Sequence, residues 1–239
     1  LQDEGFKGVF VASGAGLPNF MNIPGENSIN ILSSNEYLTR VNLMDASNPD
    51  TDTPMHIGKR VAVIGGGNTA MDACRTAVRL GAENVYVIYR RTRDEMPAED
   101  IEIEEAMEEG VTFKFLTNPA EILGEDGKVS AVKLQIMELG EPDASGRRSP
   151  VAVEGKFEIL PVDNVICAIG QKVNVKGFED VELNAKGIIA ADERYFTTSL
   201  DGVFAVGDAT NRGASIAIAA IGEANKAAAV IHGYLNGMP

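Results

Sequence analysis

"KRVAVIGGGNTAMDACRTAVRLGAENVYVIYRR", residues 59–91, decides the fold. Val61 to Ile64 is a continuous apolar run of strand length. Asn68 to Leu80 carries apolar residues at helical spacing and ends at Gly81, the residue type that most often stops a helix. Val85 to Tyr89 is a second apolar run. Strand, turn, helix, strand within about thirty residues makes one βαβ unit. Its unbroken apolar strands predict a parallel sheet covered on both faces.

The turn of this unit is Gly65-Gly66-Gly67-Asn68-Thr69-Ala70, a G-x-G-x-x-A pattern. In this context the pattern has a specific physical reading. Gly65 permits the tight turn, Gly67 lets the backbone approach a pyrophosphate, and Ala70 lets the helix pack close to the strand. Free N–H groups around Gly67, Asn68 and Thr69, at the positive end of the helix, would hold the anion. A dinucleotide is the implied ligand. Its kind is set at the end of the second strand, where folds that bind NAD place an acid for the ribose 2′-OH. This chain places Arg90, Arg91 and, after Thr92, Arg93 there. A guanidinium pairs with a 2′-phosphate that a carboxylate would repel. NADP(H) is therefore the expected cofactor. The competing reading is an exposed basic turn that pairs with the acidic segment 99–109.

The rest of the chain narrows the choice of partners. Asp plus Glu number 35 against 21 Lys plus Arg, a net charge of -14 that repels nucleic acid. Cys74 and Cys167 are far apart and form no redox or metal motif. His56 and His232 are too few and too separated for a metal site. No run approaches the roughly 18 apolar residues of a membrane span. No segment reads as a signal peptide, so a cytoplasmic setting is expected. The chain opens on Leu1 almost inside a strand and reads as a piece of a longer protein.

"GVFVASGAGLP" (8–18) predicts a buried strand and a Gly-rich turn. "SSNEYLTRVNLM" (33–44) predicts a helix capped by Ser33 or Ser34, with Tyr37, Leu38, Val41 and Leu43 inward. "DASNPDTDTP" (45–54) is linker material. "AEDIEIEEAMEEG" (98–110) is an acidic helix with Ile101, Ile103, Ala106 and Met107 inward. "VTFKFL", "AEILG", "KVSAVKLQIMEL" and "KFEILPVDNVICAIG" are strand-like, with "GEDGK" and "GEPDASGRRSP" as turns. "GIIAADERYFTTSLDGVFAVGDA" (187–209) is again strands and turns, and 214–235 is an Ala-rich helix.

Three further stretches carry a resemblance. "TTSLDGVFAVGDA" ends in Gly207-Asp208, which resembles the signature of two-dinucleotide flavoproteins whose Asp bonds the ribityl chain of FAD. "VFVASGAGLP" resembles the strand and turn that lead into the NADP domain of those proteins. "VICAIGQ", with Gly170, resembles the turn that leaves it. "GLPNFMNIPGENSINILSSNEYLTRVNLM", "GKRVAVIGGGNTAMDACRTAVRLGA" and "YRRTRDEMPAE" resemble the small (beta) subunit family of NADPH glutamate synthase. That family includes the large subunit of NADH-dependent reduced ferredoxin:NADP oxidoreductase. The resemblance spans essentially the whole chain. It implies an α/β fold: a Rossmann-like NADP(H)-binding domain, with a parallel sheet, helices and a small antiparallel meander, plus a partial FAD domain. The implied boundaries are 1–57 for a partial FAD segment and linker, 58–172 for the NADP(H) domain and 173–239 for a second partial FAD segment.

The implied chemistry is hydride transfer between NADP(H) and FAD, then electron transfer onward. Glutamate synthesis, ferredoxin and sulfur compounds all stay open as its end. The family's iron–sulfur region and the glycine fingerprint of its FAD domain are missing from these residues. Gly14-x-Gly16 is followed by Pro18 and by no long helix. FAD is thus expected to bind weakly or not at all to this chain alone, with a second subunit or the missing region as partner. The strand at Val9 to Ala12 is expected to leave an edge open to self-association. A free-standing dehydrogenase is disfavoured: no Y-x-x-x-K follows Tyr37, Tyr89, Tyr195 or Tyr234. A module that binds NADPH without catalysis is the remaining alternative.

Overall fold

The computed structural model of the 239-residue chain describes residues 4–52, 55, 58–143, 146–210 and 216–237. His56, one of the two histidines considered above, lies outside them. Two compact units form, Pro18–Gly170 and Leu1–Leu17 with Gln171–Pro239. The chain passes between them at the two-residue strands β2 (Leu17–Pro18) and β11 (Gln171–Lys172).

The unit 18–170 is built on a five-stranded sheet in the order β3-β10-β4-β5-β6. Its strands are β3 (Ile31–Ser33), β4 (Arg60–Ile64), β5 (Asn84–Tyr89), β6 (Thr112–Phe115) and β10 (Asn164–Cys167). Every pairing in it is parallel. Alternation along β4 sends Val61 and Val63 to one face and Ala62 and Ile64 to the other, and all are buried. The first face is covered by helices α1 (Ser34–Leu43), α2 (Asn68–Arg79) and α3 (Asp100–Glu108), through Tyr37, Met71, Cys74, Ile103 and Ala106. The second is covered by an antiparallel meander, β7 (Thr117–Glu125), β8 (Lys128–Pro142) and β9 (Arg148–Pro161), through Ile122, Val132, Leu134 and Leu160. Burial on both sides explains why β4 and β5 read as unbroken apolar runs.

Local chemistry sets the element ends. The Glu36 amide donates to Ser33 Oγ at 3.1 Å, capping α1. Asp126 and Gly127, both at positive φ, make the two-residue turn from β7 to β8. Beyond β7, whose last partner on β8 is Ile136, strands β8 and β9 continue as a two-stranded arm out to Pro142 and Arg148.

The other unit pairs β1 (Val9–Val11) with β12 (Val203–Ala205) in parallel. Val11, Val181, Ile189 and Ala205 form its core. Helix α4 (Ala217–Leu235) contributes Ala227 to a second cluster with Phe196 and Val206. Tyr234 stacks edge-on against Phe204 at 5.4 Å.

Some expectations about inward residues and loops need adjustment. Leu43 is 82 % exposed and Ile101 60 % exposed. The inward stripe of α1 is Ser34, Tyr37, Leu38 and Val41, and Leu43 lies two residues past it, on the far side. The stripe of α3 is Ile103 and Ala106, so Ile101 and Met107 fall outside it. In the division into two compact units, the chain from Pro18 onward falls with the five-stranded unit, where β3 pairs with β10. The stretch 140–150 is mostly strand arm rather than turn, and of 187–209 only β12 is a full strand.

Candidate functional site

The sheet order reverses between β4 and β10: β5 and β6 follow β4 on one side, while β10 returns on the other. In open α/β sheets ligands bind outside the carboxyl ends of the strands at such a switch point. The loop Gly65–Gly67 leaves β4 there. Gly65 N–H donates to the Ile88 carbonyl at 3.1 Å, and Ala168 N–H donates to the Ile64 carbonyl at 2.8 Å.

The three glycines of this loop have different reasons to be glycine. Gly65 has φ +139°, and a Cβ on it would overlap the Ala168 carbonyl oxygen. A Cβ on Gly66 would meet the Tyr89 ring at 2.6 Å. Gly67 has φ -95° and ψ 176°, a conformation open to any residue. The nearest atom to a Cβ there is Pro97 Cγ at 3.9 Å. Among the described residues nothing requires Gly67 to lack a side chain. Gly67 is the N-cap of α2, and no side chain caps that helix. The first turn carries no acid, Asn68 and Thr69 are exposed, and Ala70 is fully buried against the sheet. The result is a bare, positively polarised helix end facing open space.

The exit of β5 is braced against this loop. The Tyr89 hydroxyl donates to the Glu95 carbonyl at 2.7 Å. The Glu95 carboxylate accepts from the Thr92 amide at 3.1 Å and caps a one-turn 3-10 helix, Arg93–Glu95. The Ala98 amide donates to the Gly66 carbonyl at 3.2 Å, and the Glu99 amide to Asn68 Oδ1 at 2.9 Å. Residues 92–99 thus form a strap that ties the arginine segment to the glycine loop. Tyr89 and the strap residues Thr92, Glu95 and Ala98 were missed as site residues in the sequence, although T-x-x-E there is a capping-box signal.

The three arginines go to three different environments. Arg90 is exposed, and among the described residues no carboxylate pairs with it. Arg93 pairs with Glu104 at 3.0 Å and more loosely with Asp100 at 3.9 Å, as the basic-turn reading expects. Arg91 is 4 % exposed. Its Nη2 donates to Asp143 Oδ2 at 2.7 Å and its Nε to the Arg148 carbonyl at 2.6 Å. Arg91 is therefore engaged inside the chain and does not face the same solvent as Arg90.

Gly170 sits at φ +91°, and its carbonyl accepts from the Asn19 amide at 3.0 Å. Gly207 and Asp208 lie in the other unit, on a one-turn helix. Gly207 N–H donates to Glu223 Oε2 at 2.7 Å. Glu223 went unnoticed in the sequence, although it is the only carboxylate in α4. Among the described residues no group of His, Cys, Asp and Glu could hold a metal, and no helix is long and apolar enough to cross a membrane. Cys74 lies in the helix-side core and Cys167 in the meander-side core, so the sheet separates them. Burial pushes both thiols up to about 12, which leaves them protonated and unreactive near neutral pH.

The chain is similar to several known proteins. It is 40 % identical over 231 residues to the NADP(+)-dependent formate dehydrogenase subunit beta of Moorella thermoacetica, covering 96 % of this chain and 32 % of that protein. It is 45 % identical over 185 residues to the glutamate synthase [NADPH] small chain of Escherichia coli (strain K12), covering 74 % of this chain and 39 % of that one. The chain thus spans roughly a third of these relatives' length. In structure it is similar to Mycobacterium tuberculosis FprA in complex with NADPH, with TM-score 0.78 and 19 % identity over 99 % of this chain and 65 % of that one. Thioredoxin reductase of T. acidophilum gives TM-score 0.73 and 23 % identity over 97 % of this chain and 66 % of that one. This establishes the two-dinucleotide flavoprotein fold expected from the sequence. Residues 2–224 match the pyridine nucleotide-disulphide oxidoreductase family, and the chain belongs to it.

Proposed function

We propose that the unit 18–170 binds NADPH, with the pyrophosphate on the amides of Gly67, Asn68 and Thr69 and the 2′-phosphate on Arg90. The observation that carries this reading is the pairing of an uncrowded glycine of ordinary backbone angles with an exposed guanidinium that no carboxylate satisfies among the described residues. Gly65, Gly66 and Ala70 shape the loop, and Ala168, two residues before Gly170, lies against Gly65. The strap 92–99 holds Arg90 at a fixed distance from the phosphate loop. The nicotinamide, when bound, supplies a hydride, and this chain's part is to bind and orient it. Names such as glutamate synthase [NADPH] small chain among the relatives support an NADPH-dependent flavin oxidoreductase as the whole protein. Subunit names among them support further partner chains. Three assignments belong to this proposal: 58–172 as the core of the NADP(H) region, extended forward to 18 by β3 and α1, a cytoplasmic setting, and the final electron acceptor being set outside this chain.

Arg90→Ala is expected to lower NADPH affinity by about tenfold and leave NADH affinity nearly unchanged, since one charge-assisted phosphate pair is lost. Calorimetric titration with both nucleotides checks it. An unchanged NADPH-to-NADH ratio would refute the assignment.

For FAD, Gly207 and Asp208 are the residues that fit, Asp208 offering a half-buried carboxylate to a ribityl hydroxyl. One such contact is worth about 1–3 kcal/mol, too little to replace a pyrophosphate site. The purified chain is therefore expected to be colourless. Strand β1 pairs only with β12 among the described residues, and Phe10 is 44 % exposed. Self-association through that edge is expected. Stoichiometric flavin absorbance in the purified protein contradicts the first expectation. Strictly monomeric elution at high concentration contradicts the second.

A further inference from the structure

We infer that Arg91 is a positioning residue for the proposed 2′-phosphate site: it clamps the tip of the β8–β9 arm beside Arg90 and thereby sets the preference for the phosphorylated nucleotide. The inference rests on the NADPH reading above.

The arm needs a clamp. Past Ile136 it has lost β7, and a lone two-stranded ribbon is marginal in water. Its pairing is also broken by register shifts at Gln135/Met137 and Leu139/Pro142. Against this, the exit of β5 grips it at two levels. At the arm's base, the Arg91 carbonyl accepts from Leu116 N–H at 3.1 Å, and the Leu116 carbonyl accepts from Met137 N–H at 2.8 Å. At the tip, the buried Arg91 side chain holds the Asp143 carboxylate and the Arg148 carbonyl. The tip is itself preformed. Asp143 N–H donates to the Arg147 carbonyl at 2.7 Å, and the Arg148 guanidinium donates to the Leu139 and Gly140 carbonyls at 2.8 and 3.2 Å. One residue thus joins both ends of the arm to the strand end that carries Arg90.

A guanidinium already spent on a carboxylate and a carbonyl in a buried place is a poor phosphate ligand. It is a good tether, because its planar fork fixes direction as well as distance. Arg90 is the next residue along the backbone, so slack at Arg91 becomes slack at Arg90.

The test uses the whole chain and four proteins: wild type, Arg90→Ala, Asp143→Asn and Arg91→Lys. Thermal unfolding confirms that each is folded. Calorimetry then gives NADPH and NADH affinities, and hydrogen exchange reads the arm at 137–142 and 148–152. Asp143→Asn is expected to speed exchange in the arm and to weaken NADPH binding about three- to tenfold, with NADH unchanged. Arg91→Lys keeps the charge but loses the fork, so it should behave like Asp143→Asn. Two results overturn the inference. If Asp143→Asn strengthens NADPH binding, the carboxylate competes with the phosphate for Arg91 and no clamp is at work. If arm exchange speeds up while the NADPH-to-NADH ratio stays fixed, Arg91 is structural only. Should Arg90→Ala leave the ratio unchanged, the NADPH reading itself fails, which is a separate outcome. If unfolding removes Asp143→Asn from study, Arg91→Lys decides by the same two criteria.

Discussion

Gly67→Val is expected to weaken both NADPH and NADH by about 100-fold or more while the protein stays folded. Two or three charge-assisted amide bonds to the pyrophosphate, each worth roughly 1.5–3 kcal/mol, set that scale. Among the described residues a Cβ at 67 meets nothing closer than Pro97 Cγ, at 3.9 Å. Its backbone angles need no glycine. Folding should therefore lose little beyond the few tenths to about 1 kcal/mol that separate glycine from valine as an N-cap. Titration of the folded variant is the check. Wild-type affinity for either nucleotide would show that the loop is not the cradle.

Gly65→Ala is expected to do the reverse, striking stability first. An L-residue at φ +139° is strained by about 1–3 kcal/mol. Its Cβ would also push into the Ala168 carbonyl, and forced overlap of this kind typically adds about 1–3 kcal/mol. The sum is a large part of the stability of an ordinary domain, about 5–15 kcal/mol. A denaturant-unfolding midpoint equal to that of wild type would be incompatible with this geometry. Together the two substitutions separate glycines that look alike in the fingerprint. One is demanded by the protein, the other, in the proposed reading, by its ligand.

The β4-α2-β5 core was legible because its signals are local. Unbroken apolar strands, a glycine turn and a helix stop all lie within residues 59–91. The meander was legible in part, through its alternation and the Asp126-Gly127 turn. What escaped depends on partners distant in sequence. Ile31–Ser33 is only three residues long and becomes a strand by pairing with Val165–Cys167. No local pattern announces that. The arm past Leu139 is rich in Gly, Pro and charge, and it stays extended with Arg91 holding its tip. For the same reason the three arginines could not be told apart. Arg90, Arg91 and Arg93 have one chemistry and one neighbourhood in sequence. Asp143 and Glu104 sort them, from 52 and 11 residues away.

Cys74 and Cys167 sit in the two cores on opposite faces of one sheet, each thiol sealed by burial. That placement gives the protein two built-in reporters. A thiol reagent in mild denaturant reaches Cys74 only when the helical side opens, and Cys167 only when the meander side opens. Peptide-resolved labelling rates would therefore tell whether the two layers come apart in one cooperative step or in sequence. No probe need be engineered into the chain for the experiment.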